Sequence, residues 1–338
     1  MKIIKNCSWF IILVWLTIVH YTSQAQSNEM LGYKIIPDVV YGKGMITVDG
    51  QLQERNLLTD IYLPSHKNAD FTKDKMGIPP YPVVILVHGG GFQRGGRRQA
   101  PYKESGAVHS RMEDYAQLLA PLGYACFVVE YRLAPELPEP RMAIDADWLT
   151  TKEAAIRQAG IKRVNYARNS MGLPPLGEKE GRTIVWKTIL SAAENDLKAV
   201  EFVQNSVAQY QLDGQKIALG GHSAGGTTII NTVYGLHAPI KAVFALSPVP
   251  AGINLNKAIT NADIPPILHV ISQFDEPAVL EKAASLTKRM HEVGANYELL
   301  WIPGFPHFYP RNAVALSDKA IRISLQDRLI DFLNVYLR

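Results

Sequence analysis

Residues 216–225 read Lys-Ile-Ala-Leu-Gly-Gly-His-Ser-Ala-Gly, and the next residues, Gly226-Thr227-Thr228, open a helical run. Gly221-His222-Ser223-Ala224-Gly225 is therefore G-x-S-x-G between a strand and a helix, the context that gives this motif physical content. A turn that sharp forces strained backbone angles on the serine, and small flanking residues let strand and helix close on each other. The Ser223 hydroxyl is expected to stand above a sheet edge.

Outward from this turn, short aliphatic and β-branched runs alternate with longer stretches of helical periodicity, the pattern of a parallel sheet covered by helices. Strands are expected at 57–62, 83–87, 125–131, 217–220, 242–246, 267–271 and 297–302, and helices at 111–122, 192–210, 225–234, 277–293 and 317–337. This alternation predicts one doubly wound α/β domain with helices on both faces. Residues 134–190 break it. They carry prolines, the tract Gly172-Leu173-Pro174-Pro175-Leu176-Gly177 and a helix-like 145–158, and read as an insertion over the carboxyl ends of the strands. An elongated surface connection is the alternative.

His88-Gly89-Gly90-Gly91-Phe92 directly follows the strand at 83–87. Acyl transfer passes through a tetrahedral intermediate whose oxyanion needs backbone N–H donors unobstructed by side chains, and consecutive glycines supply them. Gly90 and Gly91 are the expected donors, with Ala224 as the third.

A serine hydroxyl attacks only when a histidine takes its proton and a carboxylate holds that histidine in the right tautomer. Asp275 lies beyond the strand at 267–271 and His307 beyond the strand at 297–302. Glu276, beside Asp275, is the competing carboxylate, and Asp263, which precedes its strand, is a remote one. His269 lies inside an apolar strand and reads as a core residue, His291 as an exposed helix position, and His222 as packing beneath the serine. Arg94, Arg97 and Arg98 read as a solvated polar loop, with attraction of an anionic ester as the alternative.

Lys2 and Lys5 precede an apolar run at 9–19 and then Ser23-Gln24-Ala25, the layout of an export signal cleaved after Ala25. The run has 11 residues, short of the roughly 18 to 20 that span a membrane, with an uncleaved anchor as the alternative reading. The mature chain, 26–338, would carry 33 basic against 31 acidic groups. Near-neutrality gives no reason to expect nucleic acid or an anionic membrane as partner. Cys126 would remain as its one cysteine, so no internal disulfide is expected. Without H-E-x-x-H, clustered cysteines or a P-loop, no metal or organic cofactor is expected.

The pairing of H-G-G-G-F with G-x-S-A-G, the segment Tyr131-Arg132-Leu133-Ala134-Pro135-Glu136 and the helix stretch Asp196-Leu197-Lys198-Ala199-Val200 resemble the hormone-sensitive-lipase-like carboxylesterases. The resemblance runs from about residue 57 to the C-terminus, interrupted by the insertion. It implies an α/β-hydrolase fold, in which the chain order Ser223, Asp275, His307 is the usual one; the insertion, by its length, reads as a functional lid or cap. It also implies carboxylic-ester hydrolysis through an acyl-enzyme, and an Arg132 that anchors its loop through a buried charge pair. Two departures are the insertion's length and Ser272, which stands where that family usually has glycine. Export and the insertion fit a polymer-derived or environmental ester such as an acylated saccharide. The competing readings are an exopeptidase of the prolyl-oligopeptidase type and a non-catalytic ligand-binding protein on the same scaffold.

Overall fold

The computed structural model describes residues 32–65, 79–142, 146–151, 156, 158–317 and 321–338. The expected export signal at 1–25 lies outside them. Among the described residues, ten strands build the main sheet: β1 Gly32–Val48, β2 Gln51–Ser65, β3 Tyr81–Val87, β4 Ala125–Val129, β5 Leu212–His222, β6 Ala242–Leu246, β7 Ile267–Phe274, β8 Tyr297–Pro306, β9 Val314–Ser317 and β10 Arg322–Ser324. Their spatial order is β10-β9-β8-β7-β6-β5-β3-β4-β2-β1, and the short strand Pro138–Glu139 caps the β1 edge. The six central strands, from β4 through β3 to β8, are parallel. Antiparallel pairs form both flanks.

Side chains alternate across a strand, so each central strand feeds two cores. Ile85, Phe127, Leu219 and Val243 face one side, where they meet α3 (Glu178–Asn205), α4 (Ala224–Ile230) and α5 (Pro277–Val293) through Val200, Val203, Ile229, Leu286 and Met290. Leu86, Val128, Ala218 and Phe244 face the other, against α1 (Met112–Leu119) and α6 (Leu325–Leu337) through Tyr115, Leu119, Leu329 and Leu333. Helices thus cover both faces. Among the described residues no helix is long and apolar enough to cross a membrane.

Several elements differ from their sequence reading. β1 and β2 form a long hairpin of which only 57–62 was expected. Its Asp49-Gly50 turn, both residues at positive φ, is a hairpin signal in its own right. The edge strand absorbs Pro37 next to a register shift between Ile36 and Val39, as prolines at sheet edges require. The helix expected at 317–337 starts at Leu325, because Ser324 caps it by accepting the Asp327 N–H at 3.2 Å.

Within the expected insertion, the helix placed at 145–158 lies partly outside the described residues. Among those described, a 3₁₀ turn occupies Ala146–Trp148, and α2 spans Gln158–Ser170. The last part of that segment is the start of α3, which runs unbroken through 28 residues and buries Val185, Trp186 and Ile189 well before the expected start at 192. The described part of the segment docks beside the loop that follows β6. Leu149 bridges to Ile253, the Thr150 N–H donates to the Gly252 carbonyl at 3.1 Å, and the Asn254 N–H donates to the Trp148 carbonyl at 2.6 Å.

Arg132 is fully buried and joins three elements. Its guanidinium donates to the Met45 and Glu139 carbonyls at 2.8 and 3.0 Å and to the Ser191 carbonyl at 3.3 Å. Its charge partner is Glu194, at 3.3 Å. Asp196 stands apart from this pair and is itself buried, and burial pushes its carboxyl up to about 7. Gly44 leaves room for the guanidinium, since a Cβ there would lie 2.4 Å from Arg132 Nε. Arg132→Ala strands three carbonyls and part of the Glu194 charge, so urea unfolding is expected to show a loss of about 3 to 5 kcal/mol. A loss under about 1 kcal/mol, the size of an ordinary surface change, would contradict this anchoring role.

Candidate active site

Four loops meet at the carboxyl ends of β3, β5, β7 and β8, where open α/β sheets place their ligand crevice. Ser223 is the single residue between β5 and α4, with φ 53° and ψ −116°. Such a backbone costs about 1 to 3 kcal/mol and persists only when its surroundings enforce it. Here the Ser223 N–H donates to the Leu246 carbonyl at 2.8 Å, and the Ser223 carbonyl accepts the Thr227 N–H at 2.9 Å. A Cβ on Gly221 would lie 2.6 Å from the Gly225 carbonyl, and one on Gly225 would lie 2.1 Å from the Val87 carbonyl oxygen. The turn closes only because both positions are glycine.

His307 follows β8 and turns its ring toward the serine, with Nε2 2.8 Å from Ser223 Oγ. Its Nδ1 lies 2.6 Å from Asp275 Oδ1. The Asp275 carboxylate is buried but well supplied with donors. Oδ1 also accepts the Glu276 N–H at 2.8 Å, while Oδ2 accepts the Ser247 hydroxyl at 2.5 Å and the Ser272 N–H at 3.2 Å. The Ser272 hydroxyl lies within hydrogen-bonding distance of both Asp275 Oδ2 and the Pro306 carbonyl. Burial by itself would raise the Asp275 carboxyl. The His307 hydrogen bond and charge, the Ser247 hydroxyl and the Ser272 N–H outweigh it and hold the group below its ordinary 3.8.

The competing residues fall elsewhere. Glu276 stands near the opposite edge of the same imidazole, its Oε1 3.8 Å from Nε2. Asp263 and His291 are exposed. His269 is buried, with Nδ1 2.9 Å from the Tyr297 hydroxyl, and burial pushes it down to about 4. His222 packs beneath the serine, and its Nε2 lies 3.1 Å from the His307 carbonyl. Beside it, His109 is pushed down to about 3 by burial and by the charge of His307.

The glycine loop passes directly beside the serine. A Cβ on Gly89 would lie 3.3 Å from Ser223 Cβ, and Gly90, Gly91 and Phe92 all have positive φ. Gln93 and Arg94 N–H groups donate to the Gly90 carbonyl at 3.2 and 3.3 Å, which folds the loop into a tight turn. Among the described residues, no hydrogen bond engages the N–H of Gly90, Gly91 or Ala224. Tyr131 supports the loop by donating to the His88 carbonyl at 3.2 Å and stacking on the His88 ring.

Two of the three arginines of this loop are ion-paired, Arg97 largely buried and Arg98 half exposed. The Arg97 side chain is only 9% exposed and pairs with Asp38, Asp60 and Glu130. Arg98 pairs with Asp38 at 3.2 Å and Asp60 at 2.7 Å. Their charges are balanced locally, which removes them as attractors of an anionic substrate. Arg94 lies over the Tyr102 ring, 5.0 Å from its centroid. Sequence reasoning missed Ser247, whose hydroxyl also lies 3.0 Å from the Tyr309 hydroxyl. Its position one residue past the end of a central parallel strand was the available signal.

No family model matches the chain, and no curated protein matches it in sequence. Its fold is similar to solved structures of esterase 2 from Thermogutta terrifontis. The apo form is 16% identical, with 91% of this chain and 93% of that chain covered at a TM-score of 0.50. The butyrate-bound form is 18% identical, with 82% and 86% covered at a TM-score of 0.50. At these identities the likeness is one of fold.

The lowered Asp275 carboxyl sets a pH signature. A depressed acid contributes stability that is present above its unfolded value, near 3.9, and is lost as pH falls through the folded value. The stability gap between the wild type and Asp275→Asn is therefore expected to be constant above roughly pH 5 and to narrow below about pH 4. Urea unfolding at a series of pH values measures it, and a gap that stays flat across the acid range would contradict the depressed carboxyl.

Proposed function

We propose that the chain is a serine esterase of α/β-hydrolase fold that cleaves carboxylic esters through an acyl-enzyme. Ser223 Oγ attacks the ester carbonyl while His307 Nε2 takes its proton. Asp275 holds the imidazole with Nδ1–H toward the carboxylate and stabilises the imidazolium that forms. The N–H groups of Gly90, Gly91 and Ala224 receive the oxyanion, each such donor being worth about 100- to 1000-fold in rate. Collapse of the intermediate breaks the bond to the alcohol oxygen, which leaves with the proton from Nε2. Water then gives a proton to Nε2 as it attacks the acyl carbon, and the bond to Ser223 Oγ breaks as Oγ takes that proton back and the acid is released.

The observation that carries this reading is the unbroken path from Ser223 Oγ through the imidazole to Asp275, with links of 2.8 and 2.6 Å, beside the glycine loop. The esterase-like fold supports it. The export layout of residues 1–25 supports action outside the cytoplasm, on an environmental ester such as an acylated saccharide.

The wild type is expected to hydrolyse p-nitrophenyl acetate and to be labelled by a fluorophosphonate probe. Ser223→Ala should lose the label completely and lower turnover by about 10⁶-fold, the size seen when a triad nucleophile is removed. Retention of either activity by that variant would refute the proposal.

A further inference from the structure

His307 has two nitrogens, and the structure places a carboxylate near each. Asp275 holds Nδ1 at 2.6 Å. Glu276 Oε1 lies 3.8 Å from Nε2, the nitrogen that also faces Ser223 Oγ at 2.8 Å. That second carboxylate is not explained by the proton relay, which needs one.

Its placement is fixed by the backbone. Glu276 immediately precedes α5, with Pro277 in the first helical position, its own N–H bound to Asp275 Oδ1 and its carbonyl accepting the Val279 N–H at 2.9 Å. The side chain is 24% exposed, whereas those of Asp275 and His307 are buried. Glu276 therefore borders the solvent-reached side of the site.

In ester cleavage the leaving oxygen takes its proton from Nε2, so it must come within hydrogen-bond reach of that nitrogen, about 2.6 to 3.2 Å. The same region lies next to Glu276 Oε1. An ionised carboxylate accepts hydrogen bonds and donates none. It rewards a donor carried by the alcohol and repels an anion there. Two oxygens on adjacent carbons, in the gauche arrangement, are about one hydrogen-bond length apart. A hydroxyl vicinal to the ester oxygen can thus reach Glu276 while the ester oxygen keeps its place at Nε2.

We propose that Glu276 is a specificity-determining residue that accepts a hydrogen bond from a hydroxyl vicinal to the scissile ester oxygen. The preferred substrates are then monoesters of 1,2-diols, as found in acylated saccharides and in glycerol esters. The inference rests on the esterase reading and narrows its substrate class.

The test compares kcat/KM for 2-hydroxyethyl acetate and propyl acetate, which differ by a hydroxyl in place of a methyl. The wild type is expected to favour the hydroxyl ester by about tenfold or more, the range for a hydrogen bond to a charged acceptor. In Glu276→Gln the preference should shrink severalfold, and in Glu276→Leu it should vanish. The ratio of two substrates does not depend on the fraction of correctly folded enzyme, and a purely structural role would slow both equally. Glycerol monoacetate and a monoacetylated methyl xyloside, measured the same way, tell which polyol is preferred.

A ratio near one in the wild type, or one unchanged in both variants, overturns the inference while turnover of propyl acetate leaves the esterase reading standing. A substitution that erases a preference for acetylcholine over 3,3-dimethylbutyl acetate, with no diol preference, overturns the hydroxyl assignment. No ester turnover and no fluorophosphonate labelling in the wild type would remove both readings.

Discussion

The approach of α4 to the end of β3 is the contact on which the site depends. Gly225 sits where any side chain would run into the Val87 carbonyl, and Gly221 where one would meet Gly225 itself. Without that contact Ser223 would have no reason to remain at φ 53°. With it, the serine becomes the only residue between strand and helix, and its hydroxyl lies 2.8 Å from His307 Nε2. The same closeness brings the glycine loop after β3 against the serine, so nucleophile and amide donors are set by one packing event. The site inherits its precision from the sheet.

A buried carboxylate is a second constraint, because burial alone disfavours its charged form. Asp275 remains charged through five donors drawn from four parts of the chain: His307, the Glu276 N–H, the Ser247 hydroxyl, and the Ser272 N–H and hydroxyl. Ser247 follows β6, Ser272 lies on β7 and His307 follows β8. Adjacent strands of one parallel sheet therefore assemble the solvation that water would otherwise provide. Asp196, equally buried but without comparable donors, shows the opposite outcome in its raised carboxyl. The contrast separates a carboxylate arranged to stay ionised from one that burial tends to neutralise.

The central sheet and the residues of the site were legible because both rest on local patterns. Buried parallel strands are continuous aliphatic runs, and Ser223, Asp275 and His307 each stand just past such a run, where the structure brings them into hydrogen-bond contact. The antiparallel flanks were less legible. β1 is an edge strand with exposed Ile35 and Val40 and an internal proline, so its alternation is blurred. The start of α3 was hidden because its first turns are mostly charged and only Val185, Trp186 and Ile189 reveal a buried side. The fates of Arg97 and Arg98 depended on Asp38 and Asp60, about 60 and 40 residues upstream in a hairpin whose register no local pattern reports. Glu276 and Asp275 are neighbours with the same chemistry, and only the direction of the chain at the mouth of α5 tells which nitrogen of the imidazole each one meets.

The length of α3 gives the molecule a continuous element between the segment at 134–190 and the core beneath the elbow. Its first half begins inside that segment, and Ile189 packs against the loop after β6, where a Cβ on Gly252 would come within 2.7 Å of it. Its middle binds Arg132 through Ser191, Glu194 and Asn195. In the same turn, the Thr232 hydroxyl lies 3.3 Å from the Ala193 carbonyl, which ties it to the chain leaving α4. Arg132 itself follows β4 and reaches β1. A single rigid helix thus joins the outer strands, the elbow helix and the loop next to the serine. A buried charge at its centre is costly on its own and useful because it can be satisfied in only one arrangement of these parts. The polar contacts around Arg132 specify which arrangement the apolar faces adopt, and the geometry at Ser223 follows from that choice.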